Sequence, residues 1–442
     1  MFGCSGSARS PPLRQWGSRV LSIQFIRENT DRVKRDLLLR NVTAPIDRIV
    51  VLDERRRALL QDVEGLRAER NIASKAIGAA KDSSDREGRI AAMRAVGDRI
   101  DALDSDLKAV ESELKAKLLE VPNVLDPTVP KGPDEGSNIV IETVGTPRDF
   151  AFHPRPHWEL GEMLDGIDFE RGVKMSGSRF YVLKGPIARL QRALIQFFLD
   201  EHVRDGFLEC YLPDMLTEES LYAAGQLPKF YDNLYRDAEE GYFFTPTAEV
   251  PFVNLYRDEI IPPGVLPQRL VAHTPCFRRE KMSAGRDVRG IKRGHQFEKV
   301  EMFVYCEPDQ SEAELENLVR RARSLPEKLG IPYQVVQLCT GDIGFNSTKT
   351  YDIELWAPGQ GEWLEVSSVS NCLDFQARRA NIRYRPAAAA APRHPHMLNG
   401  SGLALPRSVI AVMENYQEAD GSITVPEVLR KYMETDRLRP VE

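Results

Sequence analysis

The sequence predicts an α+β fold in which a long antiparallel helical hairpin of coiled-coil type is followed by a domain built on an antiparallel β-sheet flanked by helices. Three observations predict this fold. Apolar residues recur at alternating intervals of three and four between positions 49 and 118. Prolines and glycines then cluster between positions 122 and 136, where a helix cannot continue. Beyond Trp158, short β-type runs alternate with helical ones.

The composition limits the class of protein. A chain of 442 residues is long enough for two domains with a large core. No run approaches the roughly 18 to 20 apolar residues that span a bilayer, so we expect no membrane partner. The net charge of -6 means that any nucleic acid must be bound by local basic patches. Six scattered cysteines without a Cys-x-x-Cys pair favour reduced, buried thiols over zinc or disulfides.

The first element is an N-terminal extension, residues 1–20. It contains three arginines and several serines but no acidic residue, which is the composition of an organellar transit peptide. A start codon assigned too far upstream would produce the same stretch.

Residues 21–125 are predicted to form the hairpin domain. Its first long helix runs from Ile49 to Ile77, with an apolar seam made of Leu52, Leu59, Val63, Leu66, Ala73 and Ile77. The second runs from Ile90 to Leu118, with a stricter seam made of Met93, Val96, Ile100, Leu103, Leu107, Val110 and Leu114. Lys81 to Asp85 is the expected turn, and the hairpin should be about 40 Å long at about 1.5 Å per residue.

The seam alone leaves two functions open for the hairpin, a dimerisation coiled coil or an RNA-binding arm. Charge slightly favours RNA, since residues 55–99 hold about 11 Lys and Arg against about 7 Asp and Glu in a protein that is acidic overall. Most arginines on the surface of such a helix only keep it solvated and bind no RNA.

A linker, residues 126–140, leads into the second domain, residues 141–442. A helix is predicted from Ala188 to Val203 and a strand from Phe207 to Pro213. Antiparallel strands are predicted at three later runs, Gln334 to Cys339, Thr350 to Ala357 and Trp363 to Ser368.

Two arginine-centred segments carry the chemistry. Arg278 follows an apolar strand-like run, and its guanidinium could clamp a phosphate or a carboxylate in bidentate fashion. The loop after it is cationic, because glycines separate the basic residues Lys281, Arg286, Arg289, Lys292 and Arg293. Near the C-terminus, a glycine-rich turn from Leu398 delivers Arg407 to the start of an apolar helix from Val409 to Tyr416, where the helix dipole favours an anion.

Together these segments resemble motifs 2 and 3 of the class II aminoacyl-tRNA synthetases, and their details are similar to the bacterial type of the seryl-tRNA synthetase family. Residues 245–249, 338–342 and 370–378 extend the resemblance over nearly the whole chain from about Leu21. The resemblance implies ATP-dependent formation of seryl-adenylate from L-serine and transfer of serine to the 3′ end of tRNA-Ser, and also of tRNA-Sec. It further implies a class II catalytic domain, Mg²⁺ as cofactor, and a homodimer formed through the run that ends at Pro213.

The resemblance also implies roles for individual residues. The ATP-binding set is Arg278, Arg279, Glu280, Phe297, Glu365, Val366, Ser367, Ser368 and Arg407. The serine-binding set is Thr247, Ala248, Glu249, Arg278, Glu301, Asn399 and Ser401. Arg278 and Arg407 would be catalytic, and the metal ligands would be Glu365 and Ser368. The tRNA-binding candidates on the hairpin are Arg67, Arg70, Lys75, Lys81, Arg86 and Arg89.

Two of these roles have an ordinary structural alternative. A lone Glu in a strand is more often solvated, and in a regular strand Glu365 and Ser368 would lie on opposite faces. A shared metal therefore requires a twist or bulge between them. Glu301 could instead form only a salt bridge with Lys299 or Arg278.

Two other functions are compatible with an adenylation site of this kind. An amino acid:carrier-protein ligase would keep the adenylation site but lose tRNA binding, and the intact hairpin argues against it. A non-catalytic RNA-binding paralogue is disfavoured by the retention of Arg278, Glu301, Glu365 and Arg407. We expect a bacterial cytoplasmic enzyme, because relatives of this type begin near Leu21. Mitochondrial import is the alternative if residues 1–20 are a true transit peptide.

Overall fold

The computed structural model describes residues 22–79, 83–281 and 289–441. These residues divide into two compact units. One unit comprises residues 22–38 and 42–122, and the other comprises residues 39–41 and 123–441. The N-terminal extension, residues 1–20, lies outside the described residues.

Four helices run through the smaller unit, α1 (Ile23–Glu28), α2 (Thr30–Leu39), α3 (Ile46–Ala79) and α4 (Ser83–Leu119). Helices α3 and α4 pair as the predicted hairpin. With 34 residues, α3 is about 50 Å long, which exceeds the expected length. Ser83, Ser84 and Asp85 were predicted to lie in the turn, but they open α4. Asp85 is compatible with this position because the helix dipole favours an acidic residue near the N-terminus.

The apolar seam between α3 and α4 is in part fully buried, as the heptad pattern predicts, and in part half-buried, at Leu66, Ala73, Met93, Val96, Leu103 and Leu107. The most buried seam residues are Leu52, Leu59, Val63, Ile100, Val110 and Leu114. Ion pairs with N···O distances of 2.7 to 2.9 Å cross the flanks of the hairpin, at Arg48–Glu113, Arg56–Glu111 and Arg67–Asp104. The buried seam supplies most of the stability, because exposed ion pairs contribute about 1 kcal/mol or less each.

The larger unit is organised around an eight-stranded sheet. The strands of the whole unit, of which eight form this sheet, are in chain order β1 (Ile139–Val144), β2 (Ile167–Asp168), β3 (Val182–Leu183), β4 (Leu208–Glu209), β5 (Met215–Leu216), β6 (Phe243–Phe244), β7 (Ile260–Ile261), β8 (Gln268–Phe277), β9 (Gln296–Cys306), β10 (Tyr333–Gln337), β11 (Lys349–Ala357), β12 (Glu362–Asn371), β13 (Arg383–Tyr384), β14 (His396–Ala404), β15 (Ile423–Thr424) and β16 (Arg437–Leu438). The large sheet has the order β1-β10-β11-β12-β14-β9-β8-β4, and every neighbouring pair is antiparallel except β4 with β8.

The helices of this unit are α5 (His157–Met163), α6 (Phe169–Ser176), α7 (Gly185–Arg204), α8 (Glu218–Ala223), α9 (Glu249–Val253), α10 (Ser311–Leu329), α11 (Phe375–Arg379), α12 (Leu405–Asn415) and α13 (Arg430–Met433). The long helices α7, α10 and α12 pack on the large sheet and share its hydrophobic core. No helix in the described ranges is long and apolar enough to cross a membrane.

Alternation along the central strands separates a core face from a polar face. On β9, Val300 and Met302 belong to the hydrophobic core under the helices. Lys299 and Glu301, which alternate with them, line a cavity on the opposite face. Strands β11, β12 and β14 also contribute residues to both the core and the cavity. One face of the sheet therefore packs against the long helices, and the other carries the cavity beside a second hydrophobic cluster that includes Phe303 and Tyr305.

Two further local predictions were wrong. The run from Phe207 to Pro213 contributes only the short strand β4, whose pairing with β8 ends with a hydrogen bond from the Cys210 amide to the Val271 carbonyl. Pro213, at the end of the run, has no amide hydrogen with which a strand could continue. The glycine-rich stretch before Arg407 is strand β14 and not a turn. Its glycines allow close packing, since a Cβ on Gly400 would lie 3.1 Å from Val369 and one on Gly402 would lie 2.3 Å from His202.

Candidate active site

A cavity of about 510 Å³ lies on the polar face of the large sheet. Strands β9, β11, β12 and β14, the segment 246–249 and both ends of the β8–β9 connection contribute to its lining. The predicted substrate-binding residues that line it are Thr247, Glu249, Arg278, Glu280, Phe297, Glu301, Glu365, Val366, Ser368, Asn399, Ser401 and Arg407. Arg279, Ser367 and Ala248 are not among the lining residues.

Arg278, the first residue after β8, is held firmly at its base. Its amide donates to the His295 carbonyl at 2.9 Å, and its Nε donates to the Pro246 carbonyl at 3.0 Å. The guanidinium carbon lies 5.3 Å from the centre of the Phe297 ring, within cation–π range. Because Nε is already bonded, the two terminal nitrogens are the groups left to meet a ligand.

The β8–β9 connection is the predicted hairpin, with Phe277 opposite Gln296. Arg279 donates from Nε at 2.9 Å to the carbonyl of Leu234, which is itself a residue of the cavity lining. Glu280 lines the cavity and lies 3.7 Å from Arg293. Arg286, one of the predicted loop cations, lies outside the described residues.

Two carboxylates and a lysine form the acidic part of the cavity. Glu301 is buried and forms an ion pair with Lys299, two residues earlier on the same strand face. Lys299 also donates from Nζ to Thr247 Oγ1 at 2.8 Å. Burial, and then repulsion from Glu301, raise the pKa of Glu249 to about 7, although a hydrogen bond from Gln376 acts in the opposite direction. The salt bridge proposed as the structural alternative for Glu301 is therefore present, and Glu301 lines the cavity as well.

Strand β14 adds two polar side chains to the same face. Asn399 and Ser401 are buried in the sheet, and Ser401 stands directly opposite Glu301. Ser367 donates from Oγ to the Ser401 carbonyl at 2.5 Å, so this hydroxyl is used within the sheet. Ala248 is completely buried and carries no polar side-chain group.

A β-bulge in β12 brings Glu365 and Ser368 into the same cavity lining. Ser367 pairs with Ile353 and Glu365 pairs with Glu354, so Val366 is the extra residue. The bulge or twist that the sequence required at this point is confirmed. Without it, two residues three positions apart would face opposite sides of the strand.

The acidic residues opposite the bulge repel one another. Burial, followed by the charge of Glu365, raises the pKa of Asp352 well above its usual range. Burial also raises the pKa of Glu354, with Glu365 again adding to the shift. One oxygen of Asp352, Oδ1, has no hydrogen-bond partner among the described residues. A cation bound in this part of the cavity would favour the ionised forms of these carboxyl groups.

Arg407 stands in the first turn of α12, which begins at Leu405, earlier than the sequence predicted. Pro406 suits this turn because it has no amide hydrogen to leave unpaired. Arg407 donates from Nη1 to the Glu365 carbonyl at 2.5 Å and lies 3.6 Å from the carboxylate of the same residue. The guanidinium is thus combined with the free amides of a helix N-terminus, and both favour an anion.

Sequence reasoning missed Asp352 and gave Lys299 only a pairing role. The alternation of Phe297, Lys299 and Glu301 on β9 could have identified the lysine, since residues two apart share a face. Nothing in the sequence pointed to Asp352, because its position beside Ser368 depends on how β11 and β12 pair. Lys292 and Arg293, two of the five cations predicted in the loop after Arg278, also line the cavity.

The tRNA candidates on the hairpin have different surroundings. Arg67 is engaged in the ion pair with Asp104. Arg70, Lys75 and Arg89 are exposed. Lys81 lies outside the described residues, and so does the side chain of Arg86.

A mainly antiparallel sheet that presents one arginine after a strand and a second at a helix N-terminus, over a polar cavity, defines a class II aminoacyl-tRNA synthetase. A family model described as tRNA synthetase class II core domain (G, H, P, S and T) matches residues 231–416. A second model, described as Seryl-tRNA synthetase N-terminal domain, matches residues 20–125.

The relatives identify the family. The chain is 60% identical over 415 residues to serine–tRNA ligase of Roseiflexus sp. (strain RS-1), an alignment that covers 94% of this chain and 98% of the relative. The structure of seryl-tRNA synthetase from Pyrococcus horikoshii complexed with ATP matches with a TM-score of 0.91 and 38% identity, over 95% of this chain and 100% of that one. The cytoplasmic serine–tRNA ligase of Naegleria fowleri in complex with AMP matches with a TM-score of 0.86 and 27% identity, over 96% and 100%. The chain belongs to the seryl-tRNA synthetase family and is a serine:tRNA ligase, so the carrier-protein ligase and non-catalytic alternatives are not supported.

Proposed function

We propose that the cavity described above is where serine is activated with ATP and then passed to tRNA. The observation that carries this proposal is the charge distribution of a single cavity. Arg278 and Arg407 supply positive charge for phosphates and a carboxylate, and Glu249 and Glu301 supply negative charge for an ammonium group. ATP and serine together present these complementary charges.

The ATP-binding roles are those that the family resemblance implies, and the contacts of Arg278 support its role. Its Nε is held by the Pro246 carbonyl, so its two terminal nitrogens remain to contact the α-phosphate and the serine carboxylate. Arg407 contacts the γ-phosphate, Phe297 stacks on adenine, and Glu280 meets the adenine amino group. Arg279, Val366 and Ser367 complete the proposed set, and for Arg279 and Ser367 the contribution is to hold the segments that line the cavity.

The chemistry needs no side-chain nucleophile. A carboxylate oxygen of serine attacks the α-phosphorus, and the bond to pyrophosphate breaks. Arg278 stabilises the negative charge that develops at the α-phosphate, and both substrates are aligned by the same guanidinium. A hydroxyl of the 3′-terminal adenosine of tRNA then attacks the carbonyl carbon of seryl-adenylate, and AMP leaves.

Serine recognition is assigned to the acidic part of the cavity. Glu249 and Glu301 accept hydrogen bonds from the ammonium and hydroxyl groups, together with Thr247, Asn399 and Ser401. Ala248 contributes only backbone. An acceptor buried opposite the hydroxyl rejects alanine, because alanine would leave that acceptor unpaired.

Mg²⁺ fits the acidic residues at the bulge. Glu365 and Ser368 would hold it, and hard oxygen ligands of this kind are the ones that Mg²⁺ prefers. Asp352 stands opposite Ser368, and its unbonded Oδ1 supports a cation at this position. When bound, the ion would neutralise phosphate charge.

Replacing Glu365 with glutamine is expected to raise the Mg²⁺ concentration needed for half-maximal ATP–pyrophosphate exchange by about tenfold, since a charged ligand is lost. The measurement is a titration of Mg²⁺ above a fixed concentration of ATP. Glu142→Gln, on the exposed edge strand β1, is the matched control. An unchanged titration curve for the Glu365 variant would remove it from the metal site.

We assign residues 21–125 to tRNA binding, residues 126–140 to the linker and residues 141–442 to catalysis. The family resemblance of the hairpin supports a role in gripping the long variable arm of the tRNA. Of the six candidate residues, Arg70, Lys75 and Arg89 are exposed. Arg67 is also paired with Asp104, which it would have to leave to contact tRNA. Lys81 and Arg86 remain proposed contacts.

The experiment that tests the function measures charging of tRNA-Ser with serine, beside a matched transcript that lacks the long variable arm. We expect efficient charging of the full tRNA and a loss of about 100-fold or more on the truncated one, because phosphate contacts to basic side chains dominate affinity. Arg70→Ala/Lys75→Ala should reduce charging without changing ATP–pyrophosphate exchange, with Glu64→Ala as control. Equal charging of both transcripts would refute the role of the hairpin, and no charging of either would refute the function.

Three further assignments rest on this function. A homodimer is supported by large apolar side chains exposed near Pro213, with Leu208 at 64% and Tyr211 at 98% exposure, and a monomer in sedimentation equilibrium would contradict it. tRNA-Sec is a second substrate, which the same charging assay tests. The enzyme acts in the cytoplasm, and a native chain processed inside a mitochondrion would contradict that.

A further inference from the structure

A buried histidine outside the cavity links two elements that line it. His157, the first residue of α5, is completely inaccessible to solvent. The Ile291 amide donates to its Nε2 at 3.1 Å. Because Nε2 accepts a hydrogen bond, the proton of the neutral ring is on Nδ1, which donates to Glu414 Oε1 at 3.1 Å.

Glu414 is a fully engaged buried carboxylate. Besides the ring of His157, Oε1 accepts the His157 amide at 2.9 Å and Gln360 Nε2 at 3.0 Å. The other oxygen accepts the amides of Gly359 and Gln360 at 2.9 and 3.2 Å. Glu414 lies two turns after Arg407 on α12. The chain Glu414–His157–Ile291 therefore connects the helix of Arg407 to the end of the β8–β9 connection.

The backbone at this end is shaped to fit His157. Gly290 has a φ of +82°, and a Cβ at this position would lie 2.1 Å from His157 Nε2. Arg289 packs its guanidinium over the Trp158 ring, with the guanidinium carbon 4.8 Å from the ring centre. The positive φ of Gly290 and the close approach of its Cα to His157 both require glycine at this position.

The two residues after Ile291 are cations that line the cavity. Lys292 donates from Nζ to Glu362 at 2.9 Å, and Arg293 lies 3.7 Å from Glu280. Both residues come directly after Ile291, whose amide is held by His157. A shift of that amide would move both cations relative to Arg407, which is fixed on the other side of the same hydrogen-bond chain.

We propose that His157 is a positioning residue for the ATP half of the reaction. It sets the distance between the cations of residues 292–293 and the arginine of α12 by accepting from Ile291 while donating to Glu414. The proposal rests on the function assigned above, and it concerns ATP and not serine, because the serine-binding residues other than Arg278 lie on β9, β14 and the segment 247–249. Arg278 is held by the carbonyls of His295 and Pro246 and not by Ile291.

Two amide variants separate the two hydrogen bonds. Glutamine reaches the position of Nε2 and can still accept from Ile291, whereas asparagine reaches only the position of Nδ1. For H157Q we expect a KM for ATP within about threefold of wild type. For H157N we expect an increase of about tenfold or more, with the KM for serine unchanged in both. G290A should resemble H157N.

A purely structural role predicts a different result. In that case H157Q and H157N would lower thermal stability by the same amount. The fraction that stays folded, counted by active-site titration, would keep the wild-type KM for ATP and the wild-type KM for serine. That outcome, or an equal increase in both KM values, overturns the proposal.

Hydrogen exchange of the Ile291 amide provides a measurement that does not depend on catalysis. We expect protection in wild type and H157Q and faster exchange in H157N, and equal protection in all three contradicts the proposal. If wild-type enzyme showed no serine-dependent exchange of pyrophosphate, the assigned function would fail while this measurement still decided the role of His157.

Discussion

Replacing Arg278 with alanine is expected to lower serine-dependent ATP–pyrophosphate exchange by about 1,000-fold, the upper end of the range for removing one preorganised donor from a transition state. The loss should be this large because the same guanidinium is proposed to align two negatively charged substrates. Its hydrogen bond from Nε to the Pro246 carbonyl and its position over Phe297 fix the group before either substrate binds.

Arg278→Lys separates charge from geometry. A lysine keeps the positive charge but cannot make two parallel hydrogen bonds, so we expect it to recover less than a tenth of the lost activity. Arg320→Ala, which removes an exposed arginine of α10 that bonds Asn317, is the matched control. Exchange within tenfold of wild type in Arg278→Ala, with unchanged thermal stability, would show that another residue carries the charge.

The second large effect concerns Glu249 and pH. Its pKa is raised to about 7, mainly by burial and then by the charge of Glu301. Serine binds through a positive ammonium group, which needs the ionised carboxylate. We therefore expect kcat/KM for serine to fall by up to about tenfold per pH unit as the pH drops below about 7.

Glu249→Gln removes this titration. The variant should have a kcat/KM for serine lower by about 10- to 100-fold at pH 8, the cost of losing a charged hydrogen bond, and a flat profile between pH 6 and 8 apart from the effects of other groups. A profile that still falls below pH 7 in the variant would assign the titration to another residue.

Glu301→Ala tests the choice between serine and alanine. This variant should lose its discrimination against alanine. If it kept its serine preference, Glu301 would have no role in that choice.

The same shift has the opposite sign for folding. A carboxyl group whose pKa is raised in the folded state favours the protonated form there, so its contribution to stability is present at low pH and is lost as the pH rises through about 7. Empty enzyme should gain stability from this residue on acidification while serine binding weakens, and thermal melting of wild type and Glu249→Gln across this range measures the difference.

Much of the fold could be predicted from local patterns. The seam residues Leu59, Val63 and Ile100 are spaced along their helices, so the hairpin depends on residues that are close in sequence. The β8–β9 pairing around Arg278 was predictable for the same reason, since the two strands are separated by one connection.

The limits of prediction are seen where distant strands meet. The glycines of the stretch from Leu398 to Gly402 predict a turn, yet they lie in β14, where Val369 and His202 pack against them. The glycines reflect neighbours that are remote in the chain, and single-sequence patterns contain no information about those neighbours.

The sequence by itself determined the two-part architecture, the identity of the charged residues and their order, since these depend on composition and on periodicities of a few residues. The tertiary structure alone decided which of those residues share a cavity. The bulge at Val366 brings Glu365 and Ser368 together, and strand pairing adds Asp352 beside them. Lys299 contacts both Thr247 and Glu301, and His157 accepts a hydrogen bond from the Ile291 amide. These contacts form because sheet register and side-chain packing bring together segments up to about 130 residues apart.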